Sequence, residues 1–307
     1  MKNKSKKIRQ KQSAVDMIVM AITYIFFAAF AFVCIYPFYY IFINTISSNV
    51  LSSKGLIIFW PKEIHFSNYI QALKIDGLMN AAMISVGRTL LGTLLTVITT
   101  AFLGFMFTRE SMWRRKFWYR FVIVTMYFNA GIIPWYLTMR NLHLTNNFLG
   151  YILPTIVSPF YIILAKTFVE SIPKELQQAA EIDGAGTMKV FFSVIMPVIK
   201  PIMATVAIFT AVAQWNSFQD TLLLMTDNKL YSLQFILYQY INQASSLKQL
   251  VNSASSSAGV AQVLSTVQTA TSIRMTVTVI VVAPILLIYP IFQRYFVKGI
   301  MIGAVKG

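Results

Sequence analysis

Charge and thiols are what this sequence has least of. Only 12% of its 307 residues are Asp, Glu, Lys or Arg, about half the share usual in a soluble domain. That shortage excludes a solvated globular surface. With 57% hydrophobic residues and a mean hydropathy of +0.64, the chain is an integral membrane protein. The single cysteine, Cys34, excludes an internal disulfide framework and a multi-cysteine metal site. The two histidines, His65 and His143, fall far apart in predicted external loops and are taken as surface residues. There is no GxxxxGK followed by Ser or Thr, and no nucleophile–base constellation. The chain is therefore expected to be no enzyme and to hydrolyse no ATP itself. Its net charge is +16. The cations lie beside apolar runs and not on a polar domain, which argues against nucleic acid as a partner.

What is present is a succession of long apolar runs, and these predict an all-α fold of six transmembrane helices. A basic arm, residues 1–16, carries Lys2, Lys4, Lys6, Lys7, Arg9 and Lys11. The apolar run behind it, about 17–43, is too long for a secretory signal and lacks a small-x-small cleavage pattern, so it is expected to stay as the first span. Further spans are predicted near 81–107, 121–139, 147–168, 198–225 and 275–296, giving a transmembrane domain over 17–298 and a tail over 299–307. Arg88, at the start of the second span, either snorkels to an interface or faces the bundle interior. Six spans put both termini on one side. Segments on that side hold eighteen Lys and Arg, against six on the other, so both termini are predicted to be cytoplasmic. The external loop 227–272 is amphipathic and aromatic over Tyr231–Tyr240 and rich in Ser, Ala and Gln beyond. A short surface helix followed by a flexible loop is expected there, serving as a partner contact or a plain linker.

The cytoplasmic loop 171–197 breaks the apolar pattern. It holds Glu175, Glu181 and Asp183 and predicts two short helices about a sharp turn. Pro173 and Glu175 suit a helix start, and Asp183-Gly184 a helix stop. Val190, Phe191, Val194 and Ile195 give a second amphipathic segment, which Pro197 and Pro201 are expected to end. A helix–turn–helix of this kind between two spans suits a docking surface.

This loop resembles the one carried by permease subunits of ABC importers. Gln178-Ala179-Ala180, Asp183-Gly184-Ala185 and Val194-Ile195-Met196-Pro197 fall at the family's spacing, with Gln178 where the family has Glu. The ending Gly303-Ala304-Val305-Lys306-Gly307 resembles the tail of maltose-type permeases. Phe128-Asn129-Ala130-Gly131-Ile132-Ile133-Pro134 is similar to a signature of the branch handling complex oligosaccharides and polysaccharide fragments. Trp215-Asn216-Ser217-Phe218 resembles a Trp-Asn-acidic-Phe element, with Ser217 in the acidic place.

The resemblance implies a type I ABC importer permease fold with a cytoplasmic coupling helix, in a bacterial plasma membrane. It implies a second, homologous permease and two copies of a cytoplasmic ATPase that binds ATP-Mg, so that this chain needs no cofactor of its own. An extracellular solute-binding protein would deliver a carbohydrate for import by alternating access. Coupling to the ATPase would fall to Gln178, Ala179, Ala180, Asp183, Gly184, Ala185 and Pro197. The tail residues Gly303, Val305, Lys306 and Gly307 either reach between the ATPase subunits or form a frayed basic end. Trp215, Asn216, Gln219 and Asp220, polar at membrane depth, either line the translocation pathway or bond helix to helix. Import of a non-sugar solute and ATP-independent carriage are the competing functions. Scarce ionisable residues at membrane depth disfavour the carrier.

Overall fold

The computed structural model describes residues 13–253, 271–288 and 290, and these form helices and turns with no strand among them. Helix α1 (Ala14–Thr45) starts on a capping box, in which Asp16 accepts from the Ser13 N–H at 3.0 Å. It runs 32 residues through Pro37 and buries only Ile43, Asn44 and Thr45. A helix apolar around its whole circumference is stable only in lipid or against another membrane helix. Helix α2 (Leu78–Met106) begins three residues before the predicted second span and ends one residue short of it.

The predicted third span is two short helices, α3 (Arg115–Tyr127) and α4 (Ile132–Asn141). Asn129 Oδ1 accepts from the Gly131 N–H at 2.9 Å, and Gly131 takes φ 86°, a left-handed conformation that only glycine adopts freely. This turn ends one helix and restarts the next, with Pro134 in the first turn of α4, where its missing N–H breaks no bond. The predicted fourth span bends by 47° between the short turns over Phe148–Thr155 and helix α5 (Pro159–Glu170). Pro154 and Pro159 each withdraw a backbone donor there.

Helix α6 (Lys174–Ile182) is followed by α7 (Thr187–Asn216). Here the expectation that Pro197 and Pro201 end a helix is corrected, because α7 runs straight through both. A π-helical turn over Phe191–Ile195 accommodates Pro197, with the Met196 N–H bonded to the Phe191 carbonyl. Helix α8 (Gln219–Leu224) precedes α9 (Leu233–Ser253) and α10 (Thr271–Ile288). The expected short surface helix after Tyr231 is instead the 21-residue α9. Its Leu233, Ile236 and Leu237 are buried against Leu78 and Ala81 of α2 and Val277 and Val281 of α10.

Among the described residues four helices, α1, α2, α7 and α10, are long and apolar enough to cross a membrane, and the bent 148–170 pair makes five. The core lies between α2, α5 and α7. There Ala101 and Phe105 meet Ala165 and Val169, together with Phe191, Ile195, Ile199 and Val206. The first twelve residues, 254–270 of the external loop, and the tail with Gly303, Val305, Lys306 and Gly307 lie outside the described residues.

Candidate functional site

Helix α7 fixes the long axis of the molecule. Its 30 residues span about 45 Å, with the loop 171–197 at its start and Trp215, Asn216 and α8 at its far end. The two candidate sites therefore sit at opposite ends of one helix.

At the near end, α6 closes in a complete Schellman turn. The Gly184 N–H bonds the Glu181 carbonyl at 3.0 Å, and the Ala185 N–H bonds the Ala180 carbonyl at 2.9 Å. Gly184 takes φ 80°, and a side chain there would meet nothing within 4 Å. Backbone conformation, not space, thus demands glycine. Ala180 and Ala185 pack inward on the core between α2, α5 and α7. On the opposite face of α6, Ala179 and Ile182 point out, and Ile182 is 86% exposed. Asp183 and Gly184 are exposed beside it, and exposed Pro197 lies in the first turn after the π turn.

Gln178 lines a cleft of about 620 Å³ between α6 and the 108–115 loop. In that cleft Arg109 pairs with Glu181 and donates to Gln177 Oε1 at 3.3 Å. This clasp ties α6 to the end of α2. Both partners are partly exposed, so the pair contributes only about 0.2–1 kcal/mol to stability. Its consequence is register. The charge reversal Arg109→Glu is expected to lower the melting temperature of the detergent-solubilised protein slightly, and Arg109→Glu with Glu181→Arg to restore it. A melting temperature that stays low in the double variant would show that the charges do not act as a pair.

At the far end a charged group is fully buried. Arg88 of α2 is 1% exposed and faces the bundle interior. Its guanidinium donates to Gln214 Oε1 at 3.0 and 3.2 Å, to the Ser217 carbonyl at 3.3 Å, and to both carboxylate oxygens of Asp220. It also stacks 4.3 Å above the Tyr151 ring. Gln214 Nε2 donates to Thr155 Oγ1 at 2.7 Å, and the Tyr151 hydroxyl to the Leu230 carbonyl at 2.6 Å. The network spans the break between α7 and α8 and holds the end of α7, α8 and the Phe148–Thr155 turns in one arrangement.

Over this network lies a cavity of about 360 Å³, bounded by Asn129, Trp135, Thr155, Ser217, Gln219 and Asp220. Of the four residues singled out for the pathway, Gln219 and Asp220 reach it. Asn216 is exposed and lies outside its lining. Trp215 turns the other way, donating from Nε1 to the Val281 carbonyl at 3.0 Å and packing with α9 and α10. No sequence pattern marks Trp135 as a wall residue. Asn129 belongs to the Phe128–Pro134 signature, which the structure brings opposite α8.

Long apolar helices, an exposed elbow at one end and a polar cavity at the other define an integral membrane permease. Residues 92–302 match the family described as the binding-protein-dependent transport system inner membrane component, and the chain belongs to that family. It is 28% identical over 299 residues to the polygalacturonan/rhamnogalacturonan transport system permease protein YtcP of Bacillus subtilis strain 168, covering 97% of this chain and 100% of that one. It is 30% identical to Protein LplC of the same strain, over 90% of each chain. Among solved structures, a bacterial ABC transporter involved in the import of the acidic polysaccharide alginate matches with a TM-score of 0.80 at 26% identity. That match covers 93% of this chain and 99% of the other.

Proposed function

We propose that this chain is the membrane subunit of an ATP-driven importer that carries a carbohydrate, in the oligosaccharide range, into a bacterial cell by alternating access. The observation that carries the reading is the elbow over 171–197. An apolar residue, Ile182, is 86% exposed at its apex, and a closed turn and a packed inner face tie that apex to the spans. A lever for a motor subunit needs both features. The sugar class rests on the relatives, one named for polygalacturonan and rhamnogalacturonan transport and another involved in alginate import.

In this reading α3 with α4 makes one crossing and the bent 148–170 segment another, which brings the spans to six with both termini in the cytoplasm. The second permease meets the apolar face of α1, one ATPase copy binding ATP-Mg docks on α6, and its twin docks on the companion permease. A solute-binding protein approaches the opposite end, over α9 and the 227–272 loop. Gln178, Ala179, Ala180, Asp183, Gly184, Ala185 and Pro197 form and orient the coupling surface, and the tail residues Gly303, Val305, Lys306 and Gly307 extend it.

The test is affinity purification from gently solubilised membranes, followed by uptake measurements in proteoliposomes. Recovery of a second permease and an ATPase, with ATP-dependent uptake of an oligosaccharide when the binding protein is added, is the expected result. A chain that purifies alone and transports without ATP would be a carrier.

A further inference from the structure

The polar groups around the 360 Å³ cavity fall into two sets. Those beneath it, Arg88, Gln214, Tyr151 and Thr155, are bonded to one another or to backbone. On its wall the Asp220 carboxylate is bonded to Arg88, and the other polar side chains are not so engaged. Among the described residues, Asn129 Nδ2, Trp135 Nε1, the Ser217 hydroxyl and the Gln219 amide have no protein partner, although all four residues line one space. A bonded floor under a wall of free donors and acceptors is a preorganised site. Its volume lies within the range of small-molecule pockets, about 300–1,000 Å³.

Resting on the carbohydrate reading, we infer that this chain holds its own substrate subsite, built for one uncharged, hydroxyl-rich sugar unit of the transported oligosaccharide. Trp135 supplies an indole for the apolar face of a pyranose ring. Asn129 and Gln219 present amides that donate to and accept from hydroxyls, and Ser217 can do both. The class of sugar follows from charge. Among the described residues lining the cavity, the one ionised group is the Asp220 carboxylate, and the cation paired with it, Arg88, is 1% exposed and also bonded to Gln214. A uronate carboxylate here would face another carboxylate with no cation among the described lining residues to receive it. A neutral ring would donate a hydroxyl to Asp220 instead.

The test uses the intact importer in liposomes with its binding protein, and radiolabelled arabinotetraose, galactotetraose and maltotetraose as neutral probes beside tetragalacturonate. Uptake of at least one neutral probe is expected, with little of the acidic one. Gln219→Ala and Trp135→Ala are each expected to raise KM about three- to tenfold, the worth of one hydrogen bond, while kcat changes less than twofold. Trp135→Phe, which keeps the ring but not the N–H, falls between wild type and Trp135→Ala. Sugar uptake with unchanged KM in both alanine variants would overturn the subsite. Tetragalacturonate carried as well as or better than the neutral probes would overturn its neutral class. Wild-type protein that imports none of the four sugars would overturn the carbohydrate reading itself, and the subsite would fall with it.

Discussion

Replacing Ile182 by Asp is expected to abolish transport-coupled ATP hydrolysis while leaving expression, membrane insertion and thermal stability close to wild type. The side chain is 86% exposed, so it stabilises nothing within this chain, and an exposed substitution of this kind changes folding by no more than about 0.5 kcal/mol. Its apolar surface is worth about 1.5–3 kcal/mol when buried against a partner. A carboxylate in its place must also be stripped of water, so the loss at the interface exceeds that range. At 1.4 kcal/mol per decade, affinity between elbow and ATPase falls about a hundredfold or more. Stimulated ATPase activity in reconstituted complexes reads the effect directly, and a normal rate in Ile182→Asp would remove the apex from the interface. Ile182→Leu retains function in the same assay because it keeps the buried area. Gly184→Val offers a second route to the same end. Nothing crowds that position, but a β-branched residue at φ 80° is strained, so the turn that aims Ile182 opens.

Much of the elbow was legible in the sequence because its constraints are local. Asp183-Gly184 marks a helix stop wherever it occurs, and the spacing of Val190, Phe191 and Ile195 marks a buried face, as observed. What local pattern misses is the outcome of competition between rules. Pro197 and Pro201 are helix breakers by composition, yet packing of α7 against α2 outweighs them and a π turn absorbs the misfit. The segment after Tyr231 looked like an amphipathic surface, but its apolar side meets α2 and α10 across more than 140 residues of sequence separation from α2. The charge pairs were invisible for the same reason. Arg88 and Asp220 stand 132 positions apart, and only the rarity of ionised residues within apolar runs hinted that Arg88 must find a partner. Trp215 is a different case. Polarity at membrane depth leaves pathway lining and helix-to-helix bonding equally open, and the structure shows the second for this side chain, whose indole N–H is used by a backbone carbonyl of α10.

The Arg88–Asp220 pair gives the largest expected effect on stability, and its pattern across variants distinguishes structure from chemistry. Asp220→Leu leaves a guanidinium that is 1% exposed without its counter-charge. Arg88→Met leaves the carboxylate, among the described residues, with the Thr221 N–H alone, at 2.9 Å. Breaking a buried pair from one side costs about 3–5 kcal/mol, enough to cut the yield of folded protein sharply. Removing both charges is far milder, because desolvating two ions nearly cancels their attraction. The double variant Arg88→Met with Asp220→Leu is therefore expected to recover most of the loss, which thermal denaturation of the detergent-solubilised protein measures. Recovery will be incomplete. Gln214 Oε1, which accepts twice from Arg88, loses both donors, at a cost of about 1–3 kcal/mol for a buried acceptor left unmet. A double variant as unstable as the worse single one would show that the charges act separately. If the double variant folds, its transport exposes what the pair is for. Arg88 bonds the Ser217 carbonyl and Asp220 at once, so it sets the angle at which α8 meets the end of α7 and hence the position of Gln219 on the cavity wall. A protein that keeps its stability but loses apparent affinity for sugar would place the pair's value in geometry, which a well-packed apolar substitute cannot supply.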